Sequence, residues 1–194
     1  MNPVINRLLT EHAHMRRILG LVRSQLDRLD RQAQPDLVLL ANALYYMRKF
    51  PSVVHHPKEE ILFRRLVDAG APVGPEVAQV SRQHEEIYAL EDHLIELTLA
   101  LQNGDRLVQS RLVELGRHYL DIQGEHSKAE EELLFPRAAG FLREADWKAV
   151  RSKSKQIDDP LFGSSVTERY RYLYDYLLRE AADSGIPGAS PAAD

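Results

Sequence analysis

Two stretches of this sequence place a histidine four residues ahead of a glutamate. They are His55-His56-Pro57-Lys58-Glu59-Glu60 and His126-Ser127-Lys128-Ala129-Glu130-Glu131. On a helix, positions i and i+4 share a face about 5–6 Å apart, so an imidazole and a carboxylate so placed can bind one metal ion or two adjacent ones. The carboxylate suits bridging, because it offers two oxygens and a charge that offsets the cations. Two more histidines, His12 and His84, stand on otherwise apolar stripes. His12 lies 43 positions before His55, and His84 lies 42 before His126. Aligning His12 with His84 sets Met15 against Ile87 and Ile18 against Leu90. Each half therefore reads as a helical hairpin with a lone histidine on its first helix and a His–Glu pair on its second. Packed together, the hairpins direct four histidines and two glutamates into one core. By ligand type this suits iron, manganese or zinc, and two bridging carboxylates favour a dinuclear site. A single histidine on an apolar face is more often a core residue bonded to a carbonyl. The matched set of four is what favours metal.

The elements that must position these residues are all helical. Asn2 can cap and Pro3 suits a first turn. Ile5, Leu8, His12, Met15, Leu19, Val22, Leu26 and Leu29 then form a seam with spacings of three and four, the stripe that faces other helices in a bundle. A second helix opens at Pro35-Asp36 with Leu37, Leu40, Leu44 and Met47, and Pro51 and Pro57 predict a kink or broken turn. Its stripe resumes from Ile61 to Val67. A third helix over about Pro75–Gln102 carries Val80, His84, Ile87, Leu90 and Leu94. Asn103-Gly104 stops it, and Asp105 caps a fourth helix that carries His126 and runs to about Gly140. A short helix near Glu144–Ser152, a loop over Lys155–Gly163 and a final amphipathic helix opened by Ser165 and Glu168 follow. No stretch alternates like a strand. The expectation is all-α: an up-down four-helix bundle over 1–142, a helical extension over 143–183 packed on it, and a disordered tail at 184–194.

Composition narrows the function classes. The chain has 194 residues, 44% hydrophobic and 28% charged, with a formal charge of −4 and a pI near 6.1. Charges of both signs are interspersed, which argues against a nucleic-acid binder. The absence of cysteine excludes disulfides, thiolate zinc sites, iron–sulfur clusters and cysteine nucleophiles. No apolar run reaches the ~18 residues that span a bilayer, and the N-terminus lacks a signal-peptide layout. A cytoplasmic protein without a membrane partner is expected.

The chain resembles the hemerythrin-like (HHE cation-binding) domains over roughly residues 5–140. The most specific pieces are HHPKEEILF at 55–63 and EHSKAEEELLFP at 125–136, with EHAHM at 11–15 and QHEEI at 83–87 fitting the first and third helices. The resemblance implies an up-down four-helix bundle around a non-haem di-iron centre. It implies His12, His55, His84 and His126 as terminal ligands and Glu59 and Glu130 as bridging carboxylates. Oxygen-carrying hemerythrins have a second histidine one turn after the third-helix ligand. Here that position is Tyr88, which points away from oxygen carriage and toward sensors, nitric-oxide- or peroxide-reactive members and iron-handling proteins.

Several neighbours compete with these residues. His56 and Glu60 form a second i,i+4 pair about 100° round the helix, and His56 is an alternative ligand or supporting partner. Glu131 rivals Glu130. His14 falls off the seam and is expected outside the site, and His93 and His118 are flanking positions expected to be solvated or to support ligands rather than to bind metal. Tyr88 is read as packing, with a ligand or hydrogen-bond donor as the other reading. The tyrosine-rich last helix (Tyr170, Tyr172, Tyr174, Tyr176) is read as packing on the bundle, with a homodimer contact as the other reading.

The leading function is therefore a non-haem di-iron protein, holding two carboxylate-bridged iron ions, that binds or reacts with oxygen, nitric oxide or peroxide in sensing, detoxification or iron handling. The alternative is a metal-stabilised helical interaction module without redox chemistry. No nucleophile triad, phosphate-binding loop or hydrolase signature is present, so no turnover of a substrate is assigned.

Overall fold

The computed structural model describes residues 2–155 and 157–183, so the tail expected to be disordered at 184–194 lies outside the described residues. The described chain is helical with no strands, as the sequence predicts. Its elements are α1 (Pro3–Asp30), α2 (Leu37–Lys49), α3 (His56–Asp68), α4 (Gly74–Gln102), α5 (Gln109–Ala129), α6 (Phe135–Phe141), α7 (Glu144–Lys153) and α8 (Arg171–Asp183). A π turn over Pro51–His55 links α2 to α3, and a second over Glu130–Leu134 links α5 to α6. The bundle thus consists of α1, α2–α3, α4 and α5–α6.

Local chemistry sets the boundaries. The Asn2 and Asp36 side chains accept from the Val4 and Leu39 backbone N–H groups at 2.9 Å, satisfying orphan donors of α1 and α2. Gly104, at φ 96°, turns the chain out of α4 in a conformation other residues rarely adopt, and Asp105 then accepts from Leu107 N–H. The pairing of Ser165 with Glu168 does not form a cap. A 3-10 turn over Glu168–Tyr170 opens the last helix instead, after Thr167, whose side chain makes no capping bond.

The expected kink is a widened turn, and it occurs twice. In each π turn the N–H following it reaches back five residues, from His56 to Pro51 and from Phe135 to Glu130. A proline, Pro57 or Pro136, stands two positions after each. Proline has no N–H and its ring collides with the carbonyl four residues earlier. Accommodating one extra residue in the turn relieves both problems.

Packing places a polar layer between two apolar ones. One cluster includes Met15, Ile18, Leu44, Val54, Ile87 and Ile122. The other includes Leu8, Leu62, Phe63, Val80, Leu134 and Phe135. On every bundle helix the histidines and inner glutamates lie between members of the two clusters. Gly116 lets α5 approach α1 closely, since a Cβ there would lie 2.5 Å from Leu26 Cδ1.

The residues beyond the bundle pack back onto it. Trp147 and Val150 of α7 join the second cluster, while Leu161, Tyr170, Leu173 and Leu177 join the first. Between them, Asp159 accepts from Leu161 and Phe162 N–H through one oxygen and from the buried Tyr46 hydroxyl through the other, at 2.8 Å. Phe162 stacks on His14 at 4.2 Å.

Candidate metal centre

The bundle helices bring seven ionisable side chains into one layer. His12 comes from α1, His55 from the first π turn, His56 and Glu59 from α3, His84 from α4, His126 from α5 and Glu130 from the second π turn. All are at most 2% exposed. The six residues singled out by sequence are all here, and His56 joins them.

The layer divides into two groups of atoms that share Glu59. His12, His55 and Glu59 form one; His56, His84, His126 and Glu59 form the other, with their ligand atoms within 4.8 Å of one another. The Glu59 carboxylate spans both. Its Oε1 lies 2.9 Å from His55 Nε2 and 3.3 Å from His12 Nε2, whereas Oε2 lies 3.6 Å from His84 Nε2. Glu130 spans the layer from the opposite side. Its Oε2 lies 3.2 Å from His126 Nε2 and 3.4 Å from His12 Nε2, and its Oε1 lies 3.9 Å from His84 Nε2.

The other ring nitrogens of three histidines are committed to carboxylates. Nδ1 of His12 pairs with Glu131 at 2.7 Å, Nδ1 of His55 with Glu11 at 2.7 Å, and Nδ1 of His84 with Glu60 at 2.8 Å. A carboxylate on Nδ1 fixes the ring and leaves the Nε2 lone pair facing inward, the arrangement that supports metal-ligating histidines. Glu11 is held in turn by the buried Lys58 at 3.0 Å and by Arg7 at 2.9 Å. Each Glu-Glu doublet thus divides its work: Glu59 and Glu130 face the centre, while Glu60 and Glu131 lean on the histidine of a neighbouring helix. Glu131 is therefore a partner of His12 and not a rival to Glu130.

The inward atoms have no hydrogen-bond partner: Nε2 of His12, His55 and His84, both nitrogens of His56 and His126, and both oxygens of Glu59 and Glu130. Buried polar groups are normally paired, and leaving so many unpaired in one place is costly. A donor set of neutral imidazoles and bridging carboxylates fits divalent or trivalent cations.

Charge in this layer is unevenly shared. Burial opposes ionisation of Glu59, but the imidazoles of His55, His12 and His84 hold its carboxyl well below the usual range. Burial and the facing Glu59 push Glu130 up to about 7. His84 is raised to about 9 despite burial, by Glu59 and Glu60. Burial and the charge on His84 hold His126 down to about 3 and His56 well below its ordinary value. In the absence of cations, a proton on His84 offsets the Glu59 carboxylate.

The family model described as the Hemerythrin HHE cation binding domain matches residues 4–138. The chain belongs to this hemerythrin HHE family. No curated protein matches it. The matched span contains every residue of the layer. Membership and the buried His/Glu cluster together mark a cation-binding hemerythrin-like bundle. No helix among the described residues is long and apolar enough to cross a membrane.

The remaining candidates fall outside the layer. His14 packs under Phe162 with Nδ1 3.7 Å from Asp159. His118 pairs with Glu86 on the surface, and His93 is exposed. Tyr88, at the position where oxygen carriers have a histidine, lies flat against His56 at 5.6 Å and against His84 at 6.3 Å. The imidazole near that position comes instead from His56, on the adjacent helix. Sequence reasoning left Glu11 unremarked, although it directly precedes His12, and the doubled glutamates were the available signal for Glu60 and Glu131.

Proposed function

We propose that this layer holds two iron ions, one by His12 and His55 and the other by His56, His84 and His126, with Glu59 and Glu130 bridging them. The observation that carries this reading is the division of Glu59, whose two oxygens face two separate histidine groups. The protein is then a cytoplasmic non-haem di-iron protein that binds or reacts with oxygen, nitric oxide or peroxide. Bound iron would supply an open coordination position and reversible electron transfer.

The chain's own residues do the rest. Glu60, Glu11 and Glu131 hold His84, His55 and His12 in the tautomer that presents Nε2 inward. Lys58 keeps Glu11 ionised and oriented, with the Glu11 carboxyl lowered to about 2 by His55 and Lys58 against burial. The apolar clusters above and below limit water. A cavity of about 450 Å³ between α1 and α5, lined in part by Arg16, Gly20, Gly124, Lys128 and Glu131, brings solvent to the carboxylate behind His12 and offers small ligands one approach.

Elemental analysis and ultraviolet–visible spectroscopy of aerobically purified protein test this. Close to two iron atoms per chain, with oxo-bridged ferric absorption that bleaches on reduction, is the expected result. One metal per chain rejects the bridging roles of Glu59 and Glu130, and colourless protein with stoichiometric zinc rejects the redox function.

A further inference from the structure

One buried acid in the bundle has no part in the centre as described. Glu91 is fully buried on α4, two turns beyond His84. Its Oε2 accepts from the Ser52 hydroxyl at 2.7 Å, and its Oε1 accepts from the Tyr119 hydroxyl at 3.1 Å. Gln123 Nε2 donates to Tyr119 at 3.2 Å. These side chains adjoin the histidine layer on three helices: Ser52 is four residues before His56, Gln123 three before His126, and Tyr119 seven before His126. Gln123 also lines the α1–α5 cavity, which joins the network to the cavity wall.

Among the described residues no lysine, arginine or histidine lies within ion-pair distance of Glu91. The charged and titratable groups around it are Arg48 on α2, paired with Asp92 at 2.7 Å, Tyr88 and Asp92 on its own helix, and Tyr119 on α5. A carboxylate held by two hydroxyls in an apolar core is poorly compensated. The network also fits the protonated form. The Ser52 hydroxyl has a second acceptor, the Met47 carbonyl at 3.5 Å. When Glu91 carries a proton on Oε2 it can donate to Ser52, and Ser52 can turn its own hydrogen toward Met47. Both protonation states then keep a hydrogen-bonded network.

We propose that Glu91 is a proton-exchanging group beside the centre, in addition to the imidazoles of the layer, releasing a proton when cations load the histidine layer and taking one up when positive charge leaves it. The exchange breaks or forms the Glu91 O–H bond alone. The proton passes to or from solvent water, and no electron moves. It rests on the reading of the layer as a metal centre. Burial pushes the Glu91 carboxyl up to about 7, against the opposing effects of Ser52, Tyr119 and Arg48, so both forms are accessible near neutral pH. Cations in the adjacent layer favour the carboxylate and lower that value.

Infrared titration of the full chain tests this, metal-free and loaded with zinc, a redox-inert cation, with zinc content measured in parallel. A protonated-carboxylic-acid band absent from Glu91→Gln is expected. Its midpoint should fall by about one pH unit on loading, a tenfold loss of proton affinity. Tyr119→Phe, which removes one donor to the carboxylate, should move the midpoint upward, a shift that a merely space-filling Glu91 would not show. If zinc binds and no Glu91-dependent band is found, or its midpoint does not move on loading, the proton-exchange role is overturned and the metal centre stands. If neither zinc nor ferrous ion binds the wild-type chain, the reading of the layer falls and this role with it.

Discussion

His56 and His84 lie face to face, ring centroids 4.3 Å apart and planes within 19° of parallel, although they come from different helices. Two imidazolium rings would repel at that distance, so the pair divides its protons. His84 is held above its ordinary value by Glu59 and Glu60, and His56 is held well below by burial and by the charge on His84. His56 therefore keeps a free lone pair at neutral pH, a suitable state for a ligand.

From this follows a distinction between neighbouring histidines. His56→Ala should lower metal content from about two per chain toward one, while His14→Ala, beneath Phe162 and outside the layer, should leave it unchanged. Elemental analysis of the purified variants decides, and equal loss from both would show that burial in the layer does not define the ligand set.

The carboxylates on Nδ1 make a second expectation. Glu60→Gln and Glu131→Gln keep the shape but withdraw the charge that fixes His84 and His12. Such outer partners typically contribute about 10–100-fold to metal affinity. Competition with a chelator of known affinity measures this, and wild-type affinity in both variants would reduce these contacts to surface pairs.

Glu11 and Lys58 behave differently from an exposed pair. Glu11→Ala leaves Lys58 buried without its counter-charge, which costs about 3–5 kcal/mol, readable in urea denaturation. Lys58→Met should cost less, because Glu11 keeps Arg7 and His55. The Glu11 carboxyl is lowered from 4.5 to about 2, so its contribution to stability is present above about pH 4.5 and lost as pH falls through about 2. The acid limb of the stability profile should accordingly be shallower in Glu11→Gln, with the part owed to Glu59 and Glu131 remaining.

Metal-free and metal-loaded protein should also diverge with pH. In the metal-free chain His84 is raised from 6.5 to about 9. Its stabilising contribution is complete below 6.5 and is lost as pH rises through 9. Loaded protein relies on neutral imidazoles, with which protons compete as pH falls. The melting-temperature gain from metal should therefore widen from pH 6 to pH 9. A gain that is constant or shrinks over that range would show that the layer is not coupled to folding.

Much of this was legible in the sequence because its physics is periodic. The seam from Ile5 to Leu29, the matched spacing of the histidines, and Asn103-Gly104-Asp105 each fix a local structure from nearby residues alone. His56 was harder. An ideal helix sets it about 100° from His55, which made the two look like alternatives. Both are buried because the second helix points between two neighbours, so that one ring meets His12 and the other His84. The pairing of Glu11 with His55 joins residues far apart in the chain, and no local spacing encodes it. The failed cap at Ser165 is of the same kind: docking of Tyr170 and Leu173 on the bundle decides where the helix starts.

Pro57 and Pro136 touch none of the inward-facing atoms, yet each sets the winding of the helix that carries them. Restoring an N–H at either position, as in Pro57→Ala, removes the steric reason for the wide turn. If the turn then rewound as α, the surplus residue would have to be absorbed along the helix, and side chains on one side of it would rotate relative to those on the other. The apolar clusters tolerate such a slip poorly but can repack around it. Seven side chains meeting in one buried layer cannot. Each proline thus works as a spacer in phase rather than in distance, holding two halves of one helix at the angular offset that lets both serve the same centre.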